Sequence, residues 1–145
     1  MAQEVRFLLV DGHSVIHAWD DLRKLHLRSD KRYLARETLL RHMRTVHDVT
    51  GQRVVVVFDG VGSQITDERE PSGIQVFYAD ASHTADAIIE RLAAKYASQF
   101  LLQVCTADRM IGDGVEASGA TWISPESLRA ITSAAESEVR GKCVK

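Results

Sequence analysis

The feature that most constrains the fold of this sequence is a series of short, mostly apolar runs. They span Val5–Val10, Arg53–Phe58, Gly73–Tyr78, Phe100–Thr106 and Ala120–Ile123. Because apolar residues follow one another instead of alternating with polar ones, the runs predict strands buried on both faces. Helical periodicity separates them, which predicts parallel pairing. The expected fold is therefore α/β, a three-layer sandwich around a mainly parallel sheet of about five strands.

Local signals delimit the helices between these strands. Helices are predicted over Val15–Leu25, Lys31–His47 and Asp86–Tyr96, from Asp108 to Gly119, and from Pro125 to about Val139. Thr84 or Ser82 can cap the third helix, and Ser124 precedes a proline at the first position of the last one. The polar segment Gly60–Ser72 is expected to be a mobile surface loop, and residues 140–145 a flexible basic tail.

The size and composition indicate one soluble domain over residues 1–139. The chain has 145 residues, of which 45% are hydrophobic and 26% charged, and this is the balance of an ordinary globular protein. No apolar stretch approaches the length of a membrane span, and the charged opening MAQEVRF does not resemble a signal peptide. We expect a cytoplasmic location without a membrane partner; the oligomeric state is open, with a monomer as one option.

The net charge of -2 hides an uneven distribution. Eight basic residues and only two acidic ones lie between Arg23 and Arg44, so the remainder of the chain is strongly acidic. The basic residues are Arg23, Lys24, Arg28, Lys31, Arg32, Arg36, Arg41 and Arg44. Such a segment suits an enzyme that uses cations to join its carboxylates to nucleic acid phosphates, although a solvated helix face has the same composition.

Carboxylates follow three of the predicted strands. Asp11 and Asp59 come directly after their strands, and Asp108 follows the fourth strand within a turn. Ligands bind outside the C-terminal ends of parallel strands, so these acids are expected to share one site. Asp86 and Glu90 lie on one face of the helix that precedes the fourth strand. Any one of these acids alone would also suit a turn, a helix cap or a solvated helix face.

Several ionised acids in one place require a compensating cation, because each raises the proton affinity of the others. Carboxylate oxygens select Mg²⁺ or Mn²⁺, which keep water and substrate phosphate among their ligands. Such a site predicts metal-dependent phosphoester chemistry. Neither a P-loop nor a dinucleotide-binding glycine motif follows the first strand, and His13 stands where an aspartyl-phosphate phosphatase would need its second aspartate.

A series of motifs runs in order through residues 5 to 135. They are Leu9–Trp19 (LVDGHSVIHAW), Ala35-Arg36, Val57–Gly60, Thr84–Asp86, Ile89-Glu90, Thr106–Asp108, Gly119-Ala120 and Ile123-Ser124. Together they resemble the NYN-domain proteins of the PIN-like ribonuclease superfamily, whose opening motif is VDGYNVI. Within that family the sequence is most similar to the YacP-like group.

The resemblance implies a metal-dependent endoribonuclease that hydrolyses RNA phosphodiester bonds in bacterial RNA turnover. RNA is the implied partner, with ribosome-associated RNA as one candidate. Asp11, Asp86 and Asp108 match the metal-binding and catalytic acids, and Asp59 and Glu90 match supporting metal positions. The predicted substrate-binding residues are Ser14, Arg36, Arg32 and His13, of which Arg36 matches a basic position that contacts phosphate or braces an acid.

The chain departs from the family pattern beside the first acid. His13-Ser14 stands where the family has an aromatic residue and an asparagine, so a hydroxyl replaces an amide. This change leaves open an alternative function, a catalytically weak or inactive module that binds RNA or protein. His13 and His17 have the spacing of zinc ligands on a helix, but no third ligand is evident and the glutamate of HExxH is absent, so this spacing does not predict zinc.

Overall fold

The computed structural model describes residues 5–59, 66–69, 73–79 and 84–143, which form one sheet between two layers of helices. The strands are β1 (Arg6–Asp11), β2 (Arg53–Asp59), β3 (Thr66–Arg69), β4 (Gln75–Ala79), β5 (Leu101–Cys105) and β6 (Thr121–Ile123). The helices are α1 (Gly12–Ala18), α2 (Asp20–His26), α3 (Arg32–Thr50), α4 (Ala85–Tyr96), α5 (Arg109–Ala117) and α6 (Pro125–Cys143), with a 3-10 turn at Ser29–Lys31.

The sheet has the strand order β3-β4-β2-β1-β5-β6. Every neighbouring pair is parallel except β3 with β4. The chain leaves β1 for β2 on one side and later returns to β5 on the other side of β1. This reversal opens a crevice at the C-terminal ends of β1 and β5, where ligands bind in open α/β sheets.

Both faces of the central strands are buried, which explains their continuous apolar sequences. In β1, Leu8 and Val10 pack into a core shared with α1, α2, α3 and α6. Leu9 points to the opposite face and packs with residues of α4 and α5. The predicted α/β fold, with helices on both faces of a mainly parallel sheet, is confirmed.

The helical pattern over Val15–Leu25 forms two helices, whereas one was predicted. Trp19 interrupts it with an extended backbone (φ -87°, ψ 118°). Its indole Nε1 donates a hydrogen bond to the carbonyl oxygen of Pro125, 2.9 Å away, and its side chain is buried. Because this contact holds Trp19 against the start of α6, the chain turns here and α2 packs back against α1.

A strand lies within the segment Gly60–Ser72, which was predicted to be a mobile loop. Thr66–Arg69 forms β3 and pairs antiparallel with β4 at the edge of the sheet. The sequence TDER contains no apolar run, so hydrophobic patterning carried no signal for this strand. The prediction of a loop is therefore wrong for residues 66–69; the rest of that segment lies outside the described residues.

The predicted caps of α4 and α6 are confirmed, and α6 is longer than expected. Ser124 Oγ accepts from the backbone N–H of Ser127 at 3.1 Å, and Thr84 Oγ1 accepts from that of Ala87 at 3.1 Å. Ser82, the other cap candidate, lies outside the described residues. Since α6 continues to Cys143, the predicted end of this helix near Val139 is wrong; the flexibility of residues 140–145 stays a prediction.

None of the helices in the described ranges combines the length and the apolar character needed to cross a membrane.

Candidate functional site

Four of the predicted acids come together at the C-terminal edge of the sheet. Asp11 is the last residue of β1, and Asp59 is the last residue of β2. Asp108 caps α5 just after β5, and Asp86 lies in the first turn of α4. The other three carboxylates all repel the ionised form of Asp86. Residues distant in sequence therefore meet beside the switch point of the sheet.

Asp11 is held rigidly at the end of β1. Its side chain is 4% exposed and caps α1 by accepting from the backbone N–H of Ser14 at 3.4 Å. The Ser14 hydroxyl donates to Asp11 Oδ2 at 2.8 Å. The next residue, Gly12, fits only without a side chain, because a Cβ there would lie 2.3 Å from Cε1 of buried Phe58. Asp11 thus supplies the carboxylate of the site, and Gly12 leaves room for Phe58 to pack beneath it.

Thr106 links two of the acids and was not predicted to do so. Its side chain is completely buried, and its hydroxyl donates to Asp11 Oδ2 at 3.4 Å. Thr106 Oγ1 also accepts from the backbone N–H of Asp108 at 3.1 Å and lies 3.5 Å from Ser14 Oγ. In the sequence, Thr106 stands in the motif Thr106–Asp108 and two residues before an acid, a common local turn arrangement, and neither indicates a contact with Asp11. Its partner Asp11 is 95 residues away.

Asp108 uses one carboxylate oxygen for helix capping, and its other oxygen has no hydrogen bond to any residue in the described ranges. Oδ1 accepts from the backbone N–H groups of Met110 at 2.9 Å and Ile111 at 3.4 Å, and so caps α5. Both bonds use the same oxygen, so Oδ2 remains able to bind a cation.

Crowding changes the acidity of Asp86. Its pKa is raised from the ordinary value of 3.8 to about 6. Burial is the largest cause, and the charges of Asp11 and Asp108 follow. A hydrogen bond with the Asp11 carboxyl and the charge of Asp59 contribute as well. Without a cation, the cluster therefore keeps a proton to a higher pH than isolated carboxylates would.

This raised pKa has a consequence for stability. In the unfolded chain Asp86 ionises at about pH 4, whereas the folded chain keeps the proton up to about pH 6, so the free energy of unfolding is expected to fall as the pH rises between these values. Asp86→Asn removes this fall. Without metal, the variant should match the wild type at about pH 4 and melt roughly 2–4 °C higher at about pH 7.5.

That shift corresponds to about 1 kcal/mol, a figure reduced because water screens the exposed part of the side chain. Thermal melts in EDTA across the pH range measure it. A variant that is less stable than the wild type at neutral pH would contradict repulsion at this site.

The two remaining acids differ in their surroundings. Asp59 Oδ1 accepts from the backbone N–H of Ala85 at 2.9 Å. This N–H is one of the unpaired donors at the start of α4, so Asp59 ties that start, and with it Asp86, to the end of β2. Glu90 is exposed and is not among the groups that raise the pKa of Asp86. Its role as a supporting acid remains a prediction.

The acids fit a cation that keeps part of its water. Within the described ranges, no group of three or more His, Cys, Asp or Glu side chains is placed so as to hold a metal ion by itself. Magnesium retains several waters and needs only one or two protein carboxylates. Asp11, Asp86 and Asp108 offer oxygen atoms of this kind. An all-oxygen donor set suits Mg²⁺ or Mn²⁺.

The predicted substrate-binding residues lie in α1 and at the start of α3. The Ser14 hydroxyl is bonded to Asp11, so it positions this acid, which the sequence did not indicate. His13 is exposed beside it. Arg32 Nε donates to the backbone oxygen of His26 at 3.2 Å, and Arg36 follows one turn later on α3. Among the described residues, no ion pair joins Arg32 or Arg36 to an acid.

Known proteins are similar to this chain in both sequence and fold. The chain is 37% identical over 91 residues to the "Uncharacterized protein YacP" of Bacillus subtilis (strain 168), which is 59% of this chain and 50% of the relative. It thus spans about half the length of that curated relative. The crystal structure of Rae1 (YacP) from Bacillus subtilis has a TM-score of 0.79 and 28% identity, over 96% of this chain and 80% of that one. The structure of a mutant of Rae1 gives a TM-score of 0.77 at the same identity, over 92% and 78%.

The model of the family described as "YacP-like NYN domain" matches residues 8–145, nearly the whole chain. This fold is the PIN-like nuclease fold, and its C-terminal edge is where the four acids lie. The chain belongs to the YacP-like NYN domain family.

Proposed function

We propose that this protein is a divalent-metal-dependent endoribonuclease that hydrolyses RNA phosphodiester bonds in the bacterial cytoplasm. The observation that carries the proposal is the convergence of Asp11, Asp86 and Asp108 beside the switch point, where burial and then the charges of the other two acids raise the pKa of Asp86 to about 6. Acids are placed this close where a cation is to be bound. The nuclease fold of the family supports the same function.

The acids have separate tasks in this proposal. Asp11, Asp86 and Asp108 would hold Mg²⁺ or Mn²⁺, with Asp59 and Glu90 in support, and the bound ion would activate water and offset the charge that develops on the phosphate. Ser14 and Thr106 keep the Asp11 carboxylate in place through its Oδ2. The proton on Asp86 leaves when the cation binds, so metal binding is expected to strengthen as the pH rises through about 6.

The basic segment supports RNA as the substrate. It begins in α2 and continues into α3. The ring of His26, within this segment, lies 6.0 Å from that of His13, which is two residues from Asp11. The basic segment therefore passes near the carboxylates, and its arginine and lysine side chains can bind phosphates of the RNA. RNA in general, and ribosome-associated RNA in particular, are the proposed partners.

The test is a cleavage assay with single-stranded and structured RNA in Mg²⁺, Mn²⁺ and EDTA. We expect internal cuts with either metal and none in EDTA. If the protein binds RNA but leaves it uncut with both metals, the nuclease proposal is rejected in favour of the alternative, a module that binds RNA without cleaving it. Ser14 in place of an asparagine is the observation that supports this alternative.

Arg36 provides a test of phosphate contact. Arg36→Ala is expected to weaken RNA binding and to reduce the slope of log affinity against log salt by about 1, because one phosphate contact is lost. Fluorescence anisotropy in EDTA at several salt concentrations measures the slope. Arg140→Ala, which removes an exposed arginine from the far end of α6, is the matched control. An unchanged slope in Arg36→Ala would exclude phosphate contact at this position.

A further inference from the structure

Three histidines form a cluster that the acids do not use. His13 and His17 lie one turn apart on α1, and His26 is the last residue of α2. Their ring centroids are 4.2 Å apart for His13 and His17, 5.0 Å for His17 and His26, and 6.0 Å for His13 and His26. The cluster forms because the break at Trp19 folds α2 back along α1.

The cluster has unmet hydrogen-bonding capacity and accessible rings. His13 and His17 are exposed. The Nδ1 atom of His26 is buried and is the one side-chain nitrogen or oxygen within the described residues that is both buried and without a hydrogen-bond partner. Buried polar atoms are normally paired.

Positive charge surrounds the cluster, on each helix that packs against it. Arg23 on α2 faces His17, and Arg32 and Arg36 on α3 face His26. Arg23 is paired with Asp20. Among the described residues, Arg32 and Arg36 have no carboxylate partner, so their charge is available to an anion.

A surface depression connects the cluster with the acids. It has a volume of about 440 Å³ and is lined by His13, Ser14, His17, Ala18 and Ala107. Ser14 is bonded to Asp11, and Ala107 precedes Asp108. A chain lying in this depression would therefore run from the carboxylates to the imidazoles.

We infer that His13, His17 and His26, with Arg32 and Arg36, form a phosphate-binding subsite for a nucleotide of the RNA next to the scissile bond. The inference rests on the proposed function, which supplies RNA as the ligand. Imidazole and guanidinium N–H groups donate to phosphate oxygens.

An anion fits this cluster better than a metal ion does. Two guanidinium groups beside the imidazoles repel a cation and attract a phosphate. The described histidines and acids also contain no group of three placed to hold a metal. Zinc binding is therefore the competing outcome of the test.

Binding of phosphate to this subsite is expected to be accompanied by protonation of the histidine rings. Burial lowers the pKa of His17, and the charges of His13 and Arg23 lower it further. The pKa of His26 is lowered by burial first and then by the neighbouring histidines and arginines. Protonation of both rings is thus disfavoured in the free protein. Because a bound phosphate favours the protonated rings, RNA binding should strengthen as the pH falls.

The test is the affinity for a fluorescent single-stranded RNA between about pH 8 and pH 6, measured by anisotropy in EDTA. Every protein carries Asp86→Asn, which prevents cleavage and removes the titration of that acid. The parent is compared with His17→Gln, with His17→Gln/His26→Gln and with the control Lys95→Gln, which removes an exposed charge from α4. His17 is exposed, so His17→Gln is expected to keep the fold, and thermal melts verify this.

We expect the parent and the Lys95 variant to gain at least about threefold in affinity at the lower pH, because protons are taken up. His17→Gln should lose part of this gain, and the double variant nearly all of it. An equal gain in every protein would overturn the subsite, and so would zinc that raises the melting temperature of the parent but not of His17→Gln. RNA cleavage by the wild type is measured separately. If the wild type cleaves RNA but the histidine variants keep the full pH dependence of binding, only the subsite is rejected. If the histidine variants lose this pH dependence but the wild type does not cleave RNA, only the nuclease function is rejected.

Discussion

Asp11→Asn, Asp86→Asn and Asp108→Asn are each expected to reduce the rate of RNA cleavage by at least about 100-fold, or about 2.7 kcal/mol of transition-state stabilisation. Each substitution removes a negative charge that the cation requires while keeping the size of the side chain. Asparagine also caps helices as well as aspartate does, so α1 and α5 should still begin at residues 12 and 109. Initial rates at saturating Mg²⁺ give the comparison.

Asp48→Asn is the matched control, since it removes an exposed acid from α3, away from the site. It should cleave at the rate of the wild type. Circular dichroism and melting curves establish that all the variants are folded. If Asp11→Asn or Asp108→Asn cleaved at the wild-type rate, the acids would not be the catalytic centre.

Thr106→Val is expected to lower metal affinity and the cleavage rate by about 10- to 100-fold, the usual effect of removing a partner that orients a metal ligand. Valine has nearly the same shape but leaves Asp11 Oδ2 without one donor and the backbone N–H of Asp108 without its acceptor. An unpaired buried group of this kind also costs about 1–3 kcal/mol of stability. The Mg²⁺ dependence of the rate and the free energy of unfolding in urea measure the two effects.

Thr106→Ser separates the hydroxyl from the methyl group. It keeps both hydrogen bonds and should retain most of the activity. The KM for RNA should stay unchanged in both variants, because Thr106 is fully buried and cannot touch the substrate. A serine variant as impaired as the valine variant would assign the effect to packing.

The sequence was informative wherever a local pattern had a physical meaning. Strands buried on both faces are continuous and apolar, so β1, β2, β4 and β5 were predictable. Acids that follow such strands meet at one edge of a parallel sheet, and this rule predicted from the sequence that Asp11, Asp59 and Asp108 lie together. The position of Asp86 at this edge could be predicted because it lies in the first turn of the helix that leads to β5.

What could not be predicted depends on contacts between distant parts of the chain. Thr106 is an ordinary threonine until β5 lies beside β1, and only then does its hydroxyl reach Asp11. His26 joins His13 and His17 because Trp19 is anchored to Pro125, 106 residues away. β3 pairs through its backbone and has no apolar pattern. The periodicity of a short segment gives no information about these long-range contacts.

The central position of β1 has a consequence for the newly synthesised protein. Its neighbour β5 and the acid Asp108 are separated from it by most of the chain, and long-range pairing of this kind forms late. A nascent chain still on the ribosome has Asp11 exposed early but lacks the strand that completes the crevice. Under the proposed function, a nascent chain therefore cannot cut RNA before β5 and Asp108 have been synthesised and have left the ribosome.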